Sequence, residues 1–373
     1  MLGNLKSNLR ATRELVIRLR RREVGLFSIF LYRLPITAWL RLYSRLATSI
    51  NGRVLNKGIN YRRFRGFQRR SASTPGRHFY VIVMPRMLHF LVPCLELLPS
   101  DLRVDLLVNG AAGWEQRILA ERFPHMDQLK LATLPGSSLS HGDMLNLMLE
   151  NQTGEFGILD HDMYVFDPSL FDQLRFQENE CMLGVDVGFS PRTGLYYPLT
   201  HFLYFNTPLL QGLMQGYGVA AGIYPSAPER LEERLKAIGL GPGVYLKQYH
   251  DYFDTLHLLL CLAYSEGMRI RILEPKLDDD IYHVGGTSLG THHTKALDQL
   301  YLHACFLELH RGTEIGRRYH YLVAPLHDPA TIRSRLPDTP RTAHLIETTD
   351  RLMKRLRARS SDQGSPHTPT ETD

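Results

Sequence analysis

Between residues 78 and 160 the chain repeats one rhythm, a short unbroken apolar run followed by a helix-like segment, and this limits its fold more than any other feature. The runs are Phe79-Tyr-Val-Ile-Val-Met84, ended by Pro85, and Arg103-Val-Asp-Leu-Leu-Val108, ended by Asn109-Gly110. A weaker run covers Leu129 to Leu134, and Phe156-Gly-Ile-Leu159 delivers Asp160. Helical spacing fills the gaps at Leu88 to Leu98, at Trp114 to Arg122, and from His141-Gly142 through Met144, Leu145, Leu147, Met148 and Leu149. Runs this short and this apolar read as strands covered on both faces. Their alternation with helices predicts an α/β fold, a mostly parallel sheet flanked by helices. Ligands of such sheets sit beyond the carboxyl ends of the strands, so the residues just after each run are the candidates for function.

Charge divides the chain differently. Residues 1 to 70 hold 17 Lys and Arg against only Glu14 and Glu23, a net +15, which leaves −9 for the rest of a chain whose total is +6. Leu15-Val-Ile-Arg-Leu-Arg-Arg-Arg22 runs into an aromatic and Leu-rich stretch interrupted by Arg33, Pro35, Arg41 and Arg45. No run there approaches the ~20 apolar residues that span a bilayer. Residues 1–75 therefore read as a basic amphipathic helical segment that lies on a membrane surface. Packing of its helices against the body, with a solvated Arg face, is the competing reading. Arg62, Arg63, Arg65, Arg69 and Arg70 alternate with Tyr61, Phe64 and Phe67 as on a phosphate-tracking surface. No motif for reading bases accompanies them, and no nucleic acid is expected.

The sequence beginning at Met1 lacks the pattern of a secretory signal. Cys94, Cys181, Cys261 and Cys305 are far apart, form no CxxC pair and lie among apolar neighbours. Buried reduced thiols in a reducing compartment are expected, hence a cytoplasmic protein, peripheral on the inner face of the cell membrane. The main domain is read as 76–330, followed by a helical segment at 331–359 and a polar, disordered tail at 360–373.

The chemistry begins at Asp160-His161-Asp162, directly after a strand. Two carboxylates at i and i+2 in a turn can project toward one Mn2+ or Mg2+ and its phosphate ligand. Acidic pairs at strand ends are also common as solvated turn or capping residues. A GxxxxGK[ST] loop is absent from the sequence, which excludes a P-loop enzyme.

The stretch from Ser140 to Pro168, with Ser-His-Gly-Asp-Met-Leu-Asn before the strand and Leu-Asp-His-Asp-Met-Tyr-Val-Phe-Asp-Pro after it, resembles the donor half of GT-A glycosyltransferases. The resemblance covers roughly residues 79 to 286. It implies a nucleotide-sugar donor (a UDP- or GDP-sugar), with Asp160 and Asp162 on the metal and Asp160 also facing the donor. A later His near the metal and diphosphate corresponds to His283, with Gly285 and Gly286 letting backbone N–H groups approach phosphate. The carboxylate of inverting members falls at Asp254, with Asp251 as a rival, because the usual Glu-Asp pair is Phe253-Asp254 here. The alternative for Asp254 is an N-cap, which would leave a retaining course open. By position, Pro85 and Asn109 would read base or ribose, and His141 and Asn146 would face diphosphate or sugar. The segment from Asp186 to Tyr204 would line the acceptor side. The basic arm suggests a lipid-linked glycan acceptor. A membrane-associated protein that binds nucleotide-sugar or glycan without catalysis is the second reading.

Overall fold

The computed structural model describes residues 42–43, 45–71, 77–247, 250–285, 287, 297–323, 326 and 328–363. Its centre is a seven-stranded sheet built from β1 (His78–Val83), β2 (Arg103–Val108), β3 (Gln128–Lys130), β4 (Phe156–Leu159), β6 (Glu180–Gly184), β9 (Phe202–Phe205) and β10 (Arg269–Ile272). The order is β10-β6-β9-β4-β1-β2-β3. All neighbours pair in parallel except β9, which runs antiparallel to both β4 and β6. The expected mostly parallel sheet is therefore present, and separate apolar clusters cover its two faces. On one face Phe79 lies over Gly157, where an added Cβ would stand 2.2 Å from the Phe79 ring.

Two smaller sheets complete the core of the fold. β5 (Met163–Val165) pairs antiparallel with β11 (Ile281–His283), and β7 (Val187–Ser190) forms a hairpin with β8 (Leu195–Pro198). Helices α2 (Leu88–Glu96), α3 (Gly113–Arg122) and α4 (His141–Leu149) occupy the expected gaps, and α7 (His257–Ser265) precedes β10. Each of the helices α1 (Tyr61–Ser71), α5 (Thr207–Tyr217), α6 (Glu232–Ala237) and α8 (Leu297–Leu309) packs outside the sheet, as do α9 (Glu314–Tyr319), α10 (Pro329–Arg333) and α11 (Pro340–Gln363).

Three differences from expectation have local causes. The third strand ends at Lys130 instead of near Leu134 because the backbone beyond turns to side chains. Ala132 N–H donates to Asn60 Oδ1 at 2.6 Å and Leu134 N–H to Asn51 Oδ1 at 2.9 Å. The helix expected from Thr255 begins at His257, since Leu256 takes a left-handed φ of 68° that an α-helix cannot include. The C-terminal helix continues to Gln363, past the expected end at 359. It docks on the body: Arg355 donates to the carbonyls of Asp278 and Asp279, and its guanidinium lies 3.6 Å over the Phe166 ring. Residues 364–373 lie outside the described residues.

Most of the basic arm, residues 1–41, also lies outside the described residues. The part that is described packs on the body. Asn51–Asn60 is π-helical and leads into α1. In an α-helix of about 3.6 residues per turn, Asn51 would point away from the face shared by Asn56 and Asn60, whereas i→i+5 bonding gathers all three on one face. All three asparagines are buried, and their Nδ2 groups donate to Ser137 Oγ (2.8 Å), Asp143 O (3.0 Å) and Ala132 O (3.0 Å). Tyr61, Phe64 and Phe67 join the core, while Arg62, Arg63, Arg65 and Arg69 stay exposed. The alternative of helices packed on the body with a solvated Arg face thus describes residues 51–71. No helix among the described residues is long and apolar enough to cross a membrane. The four cysteines are free and buried, as expected.

Candidate active site

The carboxyl edge of the sheet assembles the site. β4 ends at Asp160, and because β9 runs the other way, its start, with His201 before it, falls at the same edge as the end of β6 and Asp186. Backbone pairing locks this together, with Asp160 N–H donating to His201 O at 2.9 Å. The small sheet supplies the remaining member. In the β5–β11 pair, His283 stands opposite Met163, and Val284 N–H donates to Asp162 O at 3.2 Å. A side chain 121 positions later in the sequence is thereby set beside the aspartate turn.

Asp160, Asp162 and His283 each offer a ligand atom, and these atoms lie within 4.8 Å of one another. Among the described residues no other His, Cys, Asp or Glu cluster does so. His283 Nε2 is 3.5 Å from Asp162 Oδ1, and Thr287 Oγ1 donates to Asp162 Oδ2 at 2.8 Å. His161 Nε2 is 3.0 Å from the same Thr287 oxygen. The His201 ring stacks on His283 with centroids 3.9 Å apart, and its Nε2 lies 3.8 Å from Asp186 Oδ2.

Electrostatics separates the two aspartates. Burial pushes the Asp160 carboxyl above its ordinary range, helped by the neighbouring Asp162 and opposed chiefly by His141. Burial also works against the Asp162 carboxylate, but His161, the His283 contact and the Thr287 hydrogen bond outweigh it and hold Asp162 well below the usual range. Burial lowers His283, yet its contact with Asp162 and the charges of Asp160 and Asp186 leave it raised. Burial, reinforced by His283, pushes His201 down to about 3, so this ring is neutral. Two hard carboxylates converging with one imidazole fit a divalent cation of the Mn2+ or Mg2+ kind.

The other candidates are distributed unevenly. His141 opens α4 behind the Ser140 cap, close enough to Asp160 to act on its carboxyl, and its Nε2 is buried with no hydrogen-bond partner among the described residues. Asn146 and Asn109 both make structural bonds. Asn146 Oδ1 accepts from Ala221 N–H at 2.7 Å, and the Asn109 amide closes a reciprocal pair with Leu139 at 3.0 and 2.7 Å. Pro85 is half-buried in the turn after β1. Gly285 has φ 69° beside His283, and Gly286 lies outside the described residues. Asp278, Asp279 and Asp280 form a turn tied to Lys276 and Arg355, apart from the cluster.

Asp254 sits in a loop pinned to the site through α4. Leu256 N–H donates to Ala221 O at 3.0 Å, and Ala221 is the residue held by Asn146. Gly142 of α4 packs so closely on the same loop that a Cβ would lie 2.8 Å from Gly222 Cα. Lys247 Nζ donates to Asp254 Oδ2 at 2.6 Å, and Thr255 N–H donates to Oδ1 at 2.8 Å. Burial opposes ionisation of Asp254, but the Lys247 and Thr255 hydrogen bonds prevail and lower it. It does not cap α7, whose N-cap residue is Leu256 with no side-chain bond. His257, pushed down to about 4 by burial and Lys247, lies next to it, and Asp251 is exposed to solvent.

Sequence reasoning covered Asp186 and His201 only as part of an acceptor-lining segment, and did not single out Thr287 or Lys247. Only the antiparallel course of β9 could have flagged His201, and Thr287 follows two residues after a glycine already under suspicion.

A mostly parallel sheet with one reversed strand thus carries a carboxylate–imidazole cluster at its carboxyl edge. Residues 55–210 match the family described as StrH glycosyltransferase N-terminal domain. That match begins inside the π-helical segment, so the packed helix is part of the domain. No curated protein matches the sequence. Among solved structures, the mannosyltransferase PcManGT from Pyrobaculum calidifontis, in complex with GDP-Man and Mn2+, is 12% identical over 84% of this chain and 94% of that one, with a TM-score of 0.34. S. aureus TarS 1-349, in complex with UDP-GlcNAc, is 12% identical over 78% of this chain and 93% of that one, TM-score 0.33. The glycosyltransferase GlyE of Streptococcus pneumoniae TIGR4 is 15% identical over 54% and 46%, TM-score 0.32. At these TM-scores the likeness is loose.

Proposed function

We propose that this protein is a metal-dependent, inverting glycosyltransferase, moving a sugar from a UDP- or GDP-sugar to a hydroxyl of a lipid-linked glycan at the inner face of the membrane. The convergence of Asp160, Asp162 and His283 carries the reading. These three residues would hold the cation, which when bound offsets negative charge on the departing diphosphate. The unpartnered Nε2 of His141 beside Asp160 suits a donor phosphate or sugar hydroxyl. In the proposed step Asp254 accepts the acceptor's hydroxyl proton while that oxygen bonds the anomeric carbon. The carbon's bond to the diphosphate oxygen breaks, and its electron pair leaves with the diphosphate. Lys247 keeps Asp254 ionised and oriented; the neutral His257 adds no competing charge.

Release of nucleoside diphosphate from a panel of nucleotide-sugars, with Mn2+, Mg2+ or EDTA, tests the reading. Turnover that EDTA leaves intact would sink metal dependence, and binding without turnover under any acceptor would favour the non-catalytic alternative.

The pH dependence follows from His283. Its raised pKa means that a proton occupies the imidazole up to somewhat above the ordinary 6.5. Below that value a cation must displace the proton, so metal affinity is expected to fall about tenfold per pH unit as pH drops through it. Calorimetric Mn2+ titration from pH 5.5 to 8 measures this, and a flat profile would remove His283 from the ligand set.

The acceptor side follows from the β7–β8 hairpin, which springs from Asp186. Phe189 and Tyr196 are cross-strand partners on one face, with rings 4.7 Å apart and exposures of 48% and 55%. Such a paired aromatic surface suits the apolar face of a sugar ring. Tyr196→Ala with Phe189→Ala is expected to lower acceptor-dependent transfer about tenfold to a hundredfold, leaving donor hydrolysis unchanged. Equal losses in both assays would mean that the hairpin serves only the fold.

A further inference from the structure

The helix that carries the buried asparagines has a second face. Helical residues 42–43 and 45–50 precede it, and across the two Leu42, Leu46, Ile50 and Val54 recur every four residues and are 51%, 52%, 38% and 60% exposed. The side turned to the body holds Ala47, Asn51, Asn56 and Asn60, all buried. Exposed Arg45, Arg53 and Lys57 flank the apolar stripe, and the sequence contains no acidic residue between Glu23 and Glu96. An aliphatic row held out in solvent, bordered by cations and neutral polar residues with no carboxylate on its own stretch, is costly in water unless something apolar and anionic covers it.

We infer that residues 42–57 form the contact surface for an anionic lipid bilayer, with Leu42, Leu46, Ile50 and Val54 entering the headgroup–acyl boundary and Arg45, Arg53 and Lys57 meeting lipid phosphates. This rests on the membrane-linked reading above and assigns its surface. Lipid is favoured over nucleic acid because the exposed stripe is aliphatic, offering no ring on which a base could stack. The geometry has a consequence for the site. The opposite face of the same helix grips Ala132, Leu134 and Ser137, in the segment that leads into His141, and Asp143 just after it. The donor edge of the enzyme is therefore fixed at a set height and tilt over the bilayer, as an enzyme with a lipid-anchored acceptor needs.

The test uses the full chain and vesicles that are half phosphatidylglycerol and half phosphatidylcholine, beside pure phosphatidylcholine. Wild type is expected to cosediment with the anionic vesicles only. Leu46→Glu with Ile50→Glu and Val54→Glu should weaken that binding about tenfold or more. Arg53→Gln with Lys57→Gln, a variant that leaves the apolar stripe whole, should weaken it less and flatten its salt dependence. Thermal unfolding and donor hydrolysis on the soluble nucleotide-sugar are read on the same variants and should match wild type. Failure of hydrolysis in wild type would strike the transferase reading and leave the surface assignment standing. Unchanged vesicle binding by the triple-Glu variant would overturn the assignment, as would wild type that ignores anionic vesicles or binds single-stranded RNA in their place.

Discussion

Asp162→Asn is expected to cut metal-dependent nucleoside diphosphate release by about three orders of magnitude, the rate equivalent of the several kcal/mol that a cation contributes at a leaving diphosphate. Asparagine has the same shape and can still meet the Thr287 hydroxyl, so the turn and the β5–β11 pairing should survive. What disappears is the one carboxylate of the cluster held firmly ionised. Asp160 is pushed the other way by burial and its neighbour, and cannot supply the missing charge alone. A second readout separates this from a structural defect. The contact with Asp162 is the leading influence raising His283, so the variant's imidazole should titrate lower than wild type in a proton NMR titration. Mn2+ binding should be lost while thermal unfolding moves little. A variant that keeps both metal and turnover would remove Asp162 from the centre of the reaction.

How much of this was legible beforehand varied with the range of the interaction that decides it. β2 and β4 matched the apolar runs residue for residue, because a buried strand writes its own boundaries in sequence. Asp160 and Asp162 were flagged by the strand end together with the resemblance, the strand end alone leaving a solvated turn open. His283 was placed through resemblance, and the physical reason for its position, antiparallel pairing of two three-residue strands, lies in elements too short to show a period. The place of His201 beside the cluster was invisible for a related cause. Nothing local says that β9 runs backwards, and only that reversal brings its first residues to the carboxyl edge. The asparagine row failed to register because 51, 56 and 60 do not share a face at the α-helical period. Asn109 and Asn146 carry structural bonds that the sequence did not show. They stand at the right edge, where Asn109 bonds Leu139 through both ends of its amide and Asn146 gives its Oδ1 to Ala221.

Asp254→Asn is expected to lower sugar transfer by about a hundredfold to ten-thousandfold, the range for loss of a general base, with donor and metal binding unchanged. The amide keeps the bond from Thr255 N–H and loses the charge that Lys247 holds at 2.6 Å. The ion pair makes the prediction sharper, because it sets the sign of a pH effect. With Lys247 beside it, Asp254 is ionised to below the usual carboxylate range, so the acid limb of transfer should come from His283 and not from the base. Lys247→Met removes the leading lowering influence and leaves burial unopposed from that side. The Asp254 carboxyl should then rise, and a second acid limb should enter the pH profile of transfer from below. A profile identical to wild type in Lys247→Met would mean that Asp254 is not the group losing its proton. The base would then have to be sought elsewhere, and the exposed Asp251 three residues away would be the next carboxylate to change.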